Sequence, residues 1–211
     1  MKLYKNGNPL VSVILPTYNR GDLIERALDS VFAQTFQDFE LVLVDDGSND
    51  NTCQLIQTYI RQHENIRYIK QQNMKLPLAL NTGIQLSVGR YITFINSDDA
   101  FKPDHLEQRI RFMVQNPDVD LIHGGVEIVG NPYVKDKDDT SKFVHVSECV
   151  LGATFLGKRN VFIRLNGFKE MDYSEDSEFF ERAERIFNVQ KVSFPSYIYY
   201  RDAEDSITNN I

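Results

Sequence analysis

The sequence predicts an α/β domain with a mostly parallel central sheet flanked by helices. Three observations predict it. Short apolar runs alternate with stretches at helical spacing through the first hundred residues, the pattern of strands joined by crossover helices. Runs such as 11–15 and 41–44 are continuously apolar, as strands covered on both faces must be. Three carboxylate clusters, Asp45-Asp46, Asp98-Asp99 and Glu175-Asp176, fall at the ends of such runs or just ahead of a helical pattern. Open α/β sheets bind ligands beyond the carboxyl ends of their strands, so acids placed there can converge on one pocket.

The first strand spans 11–15 and stops at Pro16. Leu23, Ile24, Ala27, Leu28, Val31 and Phe32 then repeat at helical spacing, with Asp22 expected as the cap. A second buried strand covers 40–44. Asp46-Gly47-Ser48-Asn49-Asp50 is turn chemistry, and Leu55, Ile56, Tyr59 and Ile60 form the next helical face. Ile66, Tyr68 and Ile69 predict a third strand, 77–88 a third helix and 91–95 a fourth strand. Leu106, Ile110, Met113 and Val114 place a helix over 104–115, and strands follow at 119–122 and 126–129 around Gly124-Gly125. From 130 to 142 the chain turns to Asn, Pro, Lys and Asp and reads as an exposed loop. A helix near 176–187 and a strand near 191–194 complete the prediction.

At 211 residues the chain is long enough for one sizeable domain, expected to span 1–211. A net charge of -7 argues against nonspecific nucleic-acid binding, which relies on Lys and Arg to neutralise phosphates. Cys53 and Cys149 are far apart and lack metal-ligand spacing, so two free thiols in a reducing compartment are expected. The apolar stretch 10–15 is too short for a signal-peptide core. No run approaches the ~18 apolar residues of a membrane span. The expectation is a cytoplasmic protein, able to work at the inner face of a membrane as a peripheral partner.

Each polar segment has a plainer reading beside the functional one. In Pro16-Thr17-Tyr18-Asn19-Arg20, Tyr18 is placed to stack on a base and Thr17 to bond to it; the same residues would also serve to cap a helix. Asp45, at a strand end, can accept a hydrogen bond from a base edge or close an Asx-type turn onto Gly47 or Ser48. In Asn96-Ser97-Asp98-Asp99 a carboxylate can meet Mg²⁺ or Mn²⁺ while a donor diphosphate completes the shell. Asn96 is an amide, which leaves Asp98 as the principal ligand and Asp99 as helper or orienter. Tyr173-Ser174-Glu175-Asp176-Ser177 reads equally as a helix start or as an aimed catalytic carboxylate. No HxxxH spacing, GxxxxGK[ST] loop, GxGxxG turn or GxSxG elbow is present. The acids together point to a metal-assisted transferase acting on a nucleotide-linked donor.

These segments, in this order, resemble the family 2 glycosyltransferases with the GT-A type fold over essentially the whole chain. The resemblance runs through the 11–20 and 40–50 segments, Ala79-Leu80-Asn81-Thr82-Gly83-Ile84, Gly89-Arg90-Tyr91-Ile92, Asn96-Ser97-Asp98-Asp99 and Pro103. It continues in Asn166-Gly167-Phe168, Glu175-Asp176, Tyr200-Arg201 and Ser206-Ile207-Thr208. It implies an inverting transferase that uses a nucleotide-diphosphate sugar, most simply a UDP-sugar, and a glycan or lipid-linked acceptor in surface polysaccharide synthesis. About 9–100 would be the nucleotide-binding half and about 101–211 the acceptor side, with an exposed loop near 130–148. The donor-binding candidates are Pro16, Thr17, Tyr18, Asp45, Asp46, Asn96 and Ser97. Asp98 and Asp99 are the metal candidates, and Asp176 matches the family's general base.

Three positions depart from the family pattern: Asn96 replaces the first acid of its DxD motif, Leu80 stands where many relatives have Arg, and Ala203 where many have His. Asn96 and Ala203 keep open a degenerate, nucleotide-sugar-binding protein without activity. A nucleotidyltransferase shares the sheet layout, but it is expected to carry a Gly-rich turn with a basic residue after the first strand, where Pro16-Thr17-Tyr18-Asn19 stands.

Overall fold

The computed structural model describes residues 7–137, 139 and 141–201. The predicted α/β architecture is what forms. The early strands are β1 (Val11–Thr17), β2 (Phe39–Asp45), β3 (Ile66–Lys70) and β4 (Tyr91–Phe94), linked by helices α1 (Ile24–Phe32), α2 (Thr52–Gln62) and α3 (Lys75–Leu86). The second half adds β5 (Ala100–Phe101), α4 (His105–Gln115), β6 (Leu121–His123), β7 (Val126–Val129), β8 (Tyr133–Lys135) and β9 (Phe143–His145). It continues through β10 (Leu156–Lys158), α5 (Arg159–Arg164), α6 (Glu175–Glu184), β11 (Val189–Lys191) and β12 (Tyr197–Tyr200).

The main sheet has the order β11-β6-β10-β4-β1-β2-β3. All its pairings are parallel except those of β10, which runs antiparallel to both β4 and β6. Strand alternation splits the core between two faces. Val11, Val13 and Leu15 pack with Ile24, Leu28 and Ile56 of α1 and α2. Ile14 points the other way, into a cluster with Ala79 and Ile84 of α3, Phe162 of α5 and Phe179 of α6. Gly83 lets α3 approach, because a Cβ there would lie 2.4 Å from Ile14.

From β1 the chain moves outward to β2 and β3, then returns to β4 on the opposite side of β1. The carboxyl ends of β1 and β4 therefore flank a topological switch point, where connections diverge and leave a crevice. A smaller sheet, β5-β12-β7, closes one side of it.

Four local expectations need correction. Asp22 does not cap α1: Leu23 holds the N-cap position, without a side-chain cap bond. Ser174 precedes α6 in a left-handed conformation (φ 66) and likewise makes no side-chain cap. The loop expected over 130–142 contains β8, which pairs antiparallel with β9 across Lys135 and Phe143. Its residues alternate between outward polar or aromatic groups and the inward Val134, too short a signal to register as a strand pair. The strand expected near 191–194 lies at Val189–Lys191. Ala203 and the Ser206-Ile207-Thr208 segment lie outside the described residues. Among the described residues no helix is long and apolar enough to cross a membrane, and Cys53 and Cys149 are both free thiols.

Candidate active site

A cleft of about 1060 Å³ opens at the switch point. Its walls include Pro16, Thr17, Tyr18, Asp46, Asn96, Ser97, Asp98 and Asp99, with Glu175 and Asp176 from the head of α6. Of the sequence-selected residues, Asp45 alone stands behind the wall, fully buried.

The β1 and β2 ends are laced together before they reach the cleft. Asp46 N–H donates to Thr17 O at 2.8 Å, Asn19 N–H to Ser48 Oγ at 2.9 Å and Asn49 N–H to Asn19 Oδ1 at 2.8 Å. Tyr18 is left 44% exposed on the cleft wall. Thr17 is buried and lines the cleft, and its hydroxyl has no hydrogen-bond partner within the protein. A buried hydroxyl left without a partner is costly, so an orphan at a cleft wall marks a place for a ligand's polar group.

The two acids after β2 have different jobs. Asp45 accepts from Ser48 N–H at 2.7 Å and from the Tyr68 hydroxyl at 2.8 Å, with Lys70 Nζ 3.8 Å away. Both its oxygens accept hydrogen bonds from the scaffold. Its neighbour Asp46 faces the cleft and accepts from Gln71 Nε2 at 2.7 Å and Met74 N–H at 3.0 Å. Gly47 between Asp46 and Ser48 has φ 89, and a Cβ there would meet Asn73 N at 2.9 Å; only glycine fits this turn.

The acids after β4 divide in the same way. Asp99 is fully buried. Its Oδ2 accepts from the Tyr197 hydroxyl at 2.5 Å and from Asn96 Nδ2 at 3.0 Å, and its Oδ1 from Tyr200 N–H at 2.9 Å. Burial first, and the adjacent Asp98 charge second, raise its pKa. A carboxylate that already accepts three hydrogen bonds fits the orienter among its two expected roles. Asn96, where an acid would stand in the DxD pattern, serves Asp99 through its amide N–H. Asp98 is partly exposed on the cleft wall. Its backbone carbonyl accepts from the Arg26 guanidinium of α1, which also lies 3.7 Å over the Tyr200 ring.

Among the described residues no three metal-ligating side chains converge into a complete cage. Mg²⁺ does not need one: it keeps several waters and takes one or two carboxylates together with substrate phosphates. Asp98 on an open cleft fits that requirement.

At the head of α6, Asp176 Oδ2 accepts from Gly152 N–H at 3.1 Å and its Oδ1 from Ser177 N–H at 2.7 Å. Burial raises its pKa while these two donors pull it down, with burial the larger. The adjacent Glu175 is pushed up to about 7 by burial and by the Asp176 charge. Gly152 opens a short 3₁₀ turn, Gly152–Thr154, and a Cβ there would come within 2.9 Å of the Asp176 Cβ. The turn has a glycine because the carboxylate side chain rests against it.

The chain matches the profile described as Glycosyl transferase family 2 over residues 12–176. It belongs to that family. An uncharacterized glycosyltransferase of Rickettsia prowazekii is 28% identical over 222 residues, covering 97% of this chain and 69% of that protein. The fold is that of S. aureus TarS 1-349, solved in complex with UDP-GlcNAc: TM-score 0.79 at 22% identity, over 93% of this chain and 60% of that one. A mannosyltransferase of Pyrobaculum calidifontis, solved with GDP-Man and Mn²⁺, gives a TM-score of 0.72 at 21% identity, over 92% of this chain and 57% of that one. This family 2 chain thus spans about 60% of the structures it matches.

Two further stretches of the glycosyltransferase pattern turn out to be one contact. Asn81 of α3 donates to Phe168 O at 2.8 Å and accepts from Phe168 N–H at 2.8 Å. A Cβ on Gly167 (φ 66) would strike Asn81 Oδ1 at 2.0 Å. This clasp fixes the segment leading to Asp176. Sequence reasoning missed Tyr197, Arg26 and the Gly152 turn as parts of the site. Their partners lie far away in sequence, and only the glycine carried a local hint.

Proposed function

We propose that this chain moves a sugar from a nucleotide-diphosphate sugar to an acceptor hydroxyl, with inversion at the anomeric carbon. The observation that carries the reading is that Thr17, Tyr18, Asp46, Asp98 and Asp176 all line one cleft, at a switch point of a family 2 fold. Tyr18 stacks on the base, and the Thr17 hydroxyl and Asp46 supply polar contacts to the nucleoside. Residues of about 9–100 form this donor half, and the rest of the chain forms the acceptor side.

Asp98 would hold Mg²⁺ or Mn²⁺ together with the donor diphosphate. When bound, the ion offsets the charge that builds on the departing diphosphate. Asp99, braced by Tyr197, keeps Asp98 aimed into the cleft. Asp176 takes the proton from the acceptor hydroxyl as that oxygen attacks. Its raised proton affinity makes it a stronger base than a surface carboxylate, and its two backbone donors hold one orientation. A single displacement on the face opposite the leaving group inverts the configuration and needs no covalent intermediate. A UDP-sugar is the proposed donor and a glycan or lipid-linked hydroxyl the proposed acceptor, in surface polysaccharide synthesis.

Calorimetry with Mn²⁺ and a panel of UDP-, GDP- and dTDP-sugars tests the donor assignment. Metal-enhanced binding of at least one is expected, and silence across the panel overturns it. Asp176→Asn should abolish transfer with donor affinity nearly intact.

A further inference from the structure

We propose that Arg109, buried within α4, is a positioning residue for the Asp176 carboxylate. The proposal rests on the reading of Asp176 as the base. Arg109 is fully enclosed in the core, where a cation is expensive. Its bonds run to backbone carbonyls: Nη1 donates to Thr154 O at 2.8 Å and Nη2 to Gly124 O at 2.5 Å. Burial pushes its pKa down to about 9, the electrostatic cost of this placement.

The two carbonyls belong to segments that lead into the antiparallel β6–β10 pairing, and the guanidinium joins them on the side of the 3₁₀ turn. Gly124 follows β6, and Thr154 ends the 3₁₀ turn that starts at Gly152. The Thr154 side chain closes the same ring, accepting from Gly124 N–H at 2.9 Å and donating to Leu151 O at 2.7 Å. Gly152 N–H, at the other end of this turn, donates to Asp176 Oδ2. A continuous path therefore runs from the guanidinium through Thr154 and Gly152 to the carboxylate. The planar fork of Arg sets two separate nitrogens at fixed geometry on the two carbonyls, whereas Lys offers one nitrogen on a flexible stem.

Arg109 acts through the turn. The titratable groups that face Asp176 are Glu175 on its own helix, Tyr173 just before it and Cys149 on the strand-to-turn segment opposite. None of them lies on α4.

The test compares the full chain with Arg109→Lys and Thr154→Val. Three readouts are needed: the Asp176 titration by carboxyl ¹³C NMR, UDP affinity with Mn²⁺, and UDP release from the best-bound donor sugar. In folded Arg109→Lys, UDP affinity should stay within about twofold while UDP release falls roughly tenfold through misplacement of the base. The Asp176 titration should move to higher pH, because a carboxylate that loses an N–H donor binds its proton more tightly. A folded variant matching the wild type in titration and turnover overturns the proposal. Thr154→Val keeps the carbonyl that Arg109 holds and removes the hydroxyl bonds to Gly124 and Leu151, so it tests the turn's part of the path; if Arg109→Lys does not fold, Arg109→Gln is read in its place. In the wild-type chain the Gly152 amide should resist hydrogen exchange and lose protection as Asp176 protonates; exchange at loop rates overturns the proposal. Full turnover in Asp176→Asn would refute the base reading instead, and leaves the titration comparison to judge Arg109 by itself.

Discussion

Tyr197 and Asp99, separated by 98 positions in the chain, share a 2.5 Å hydrogen bond that joins β12 to the turn after β4. The phenol also accepts from Asn96 N–H at 3.3 Å, so one side chain bonds to two residues of that turn. Tyr200 N–H and the Arg26 guanidinium add bonds to Asp99 and to the Asp98 carbonyl. Asp98, the proposed metal ligand, is thus braced through Asp99 and through its own carbonyl. Tyr197→Phe keeps the ring packed and removes one donor from a buried carboxylate. It should cost roughly 1–3 kcal/mol of stability and weaken Mn²⁺-dependent UDP binding more than metal-free UDP binding. Denaturant titration and paired calorimetry check both, and an unchanged metal dependence would refute the bracing role.

Thr17→Val separates binding from stability. The hydroxyl has no internal partner, so an apolar side chain of the same shape should leave the melting temperature unchanged or raise it. UDP affinity should fall by roughly the worth of one hydrogen bond, about 1 kcal/mol or a factor of five. Equal affinity would mean that this hydroxyl does not meet the nucleotide.

The Asp45-Asp46 pair predicts opposite phenotypes for neighbouring residues. Asp45→Asn puts an amide where Ser48 N–H and the Tyr68 hydroxyl both donate, so it should destabilise the fold by roughly 1–3 kcal/mol. Asp46→Asn should be the milder change in a melt and the stronger one in UDP affinity. Thermal denaturation with calorimetry on both variants decides. A destabilised Asp46→Asn beside a weakly binding Asp45→Asn would reverse the assignment.

This pair also shows how far the sequence reaches. β1, β2 and β4 were readable because strands buried on both faces are largely apolar runs, and that follows from the order of residues alone. Which of two adjacent acids enters the cleft was not readable. It depends on where β2 ends against β3 and on a turn that sends Asp45 back to Ser48. Leu156-Gly157-Lys158 was invisible for a different reason: three residues with a central glycine carry no periodicity, yet they form β10, the antiparallel strand of the main sheet. The brace at Tyr197 comes from pairing with β5 and β7, far off in sequence, so no local pattern announces it. The Asp98 and Asp176 segments were located from their flanking residues, and the groups that orient them were not.

Gly152→Ala tests the contact beneath Asp176, the proposed base. The added methyl would sit 2.9 Å from the Asp176 Cβ, so either the turn or the carboxylate must shift. Turnover should fall by one to two orders of magnitude, roughly what a misplacement near 1 Å costs. UDP affinity should hold, because Thr17, Tyr18 and Asp46 sit on other loops. A variant with parental turnover would show that the carboxylate tolerates the displacement.

Glu175 supplies a pH signature. Its carboxyl is pushed from 4.5 up to about 7, chiefly by burial and then by Asp176. Between those values the folded chain keeps a proton that the unfolded chain gives up, so unfolding releases protons and stability falls as pH rises. The contribution is favourable below the unfolded value and is lost progressively towards about 7. Glu175→Gln replaces the group with one that never ionises. It should therefore stabilise the fold relative to wild type at pH near 8 and do little near pH 4. Urea unfolding at the two pH values measures the difference. An equal effect at both would mean that Glu175 ionises as easily in the fold as outside it, and that the head of α6 is wetter than its packing against the cleft implies.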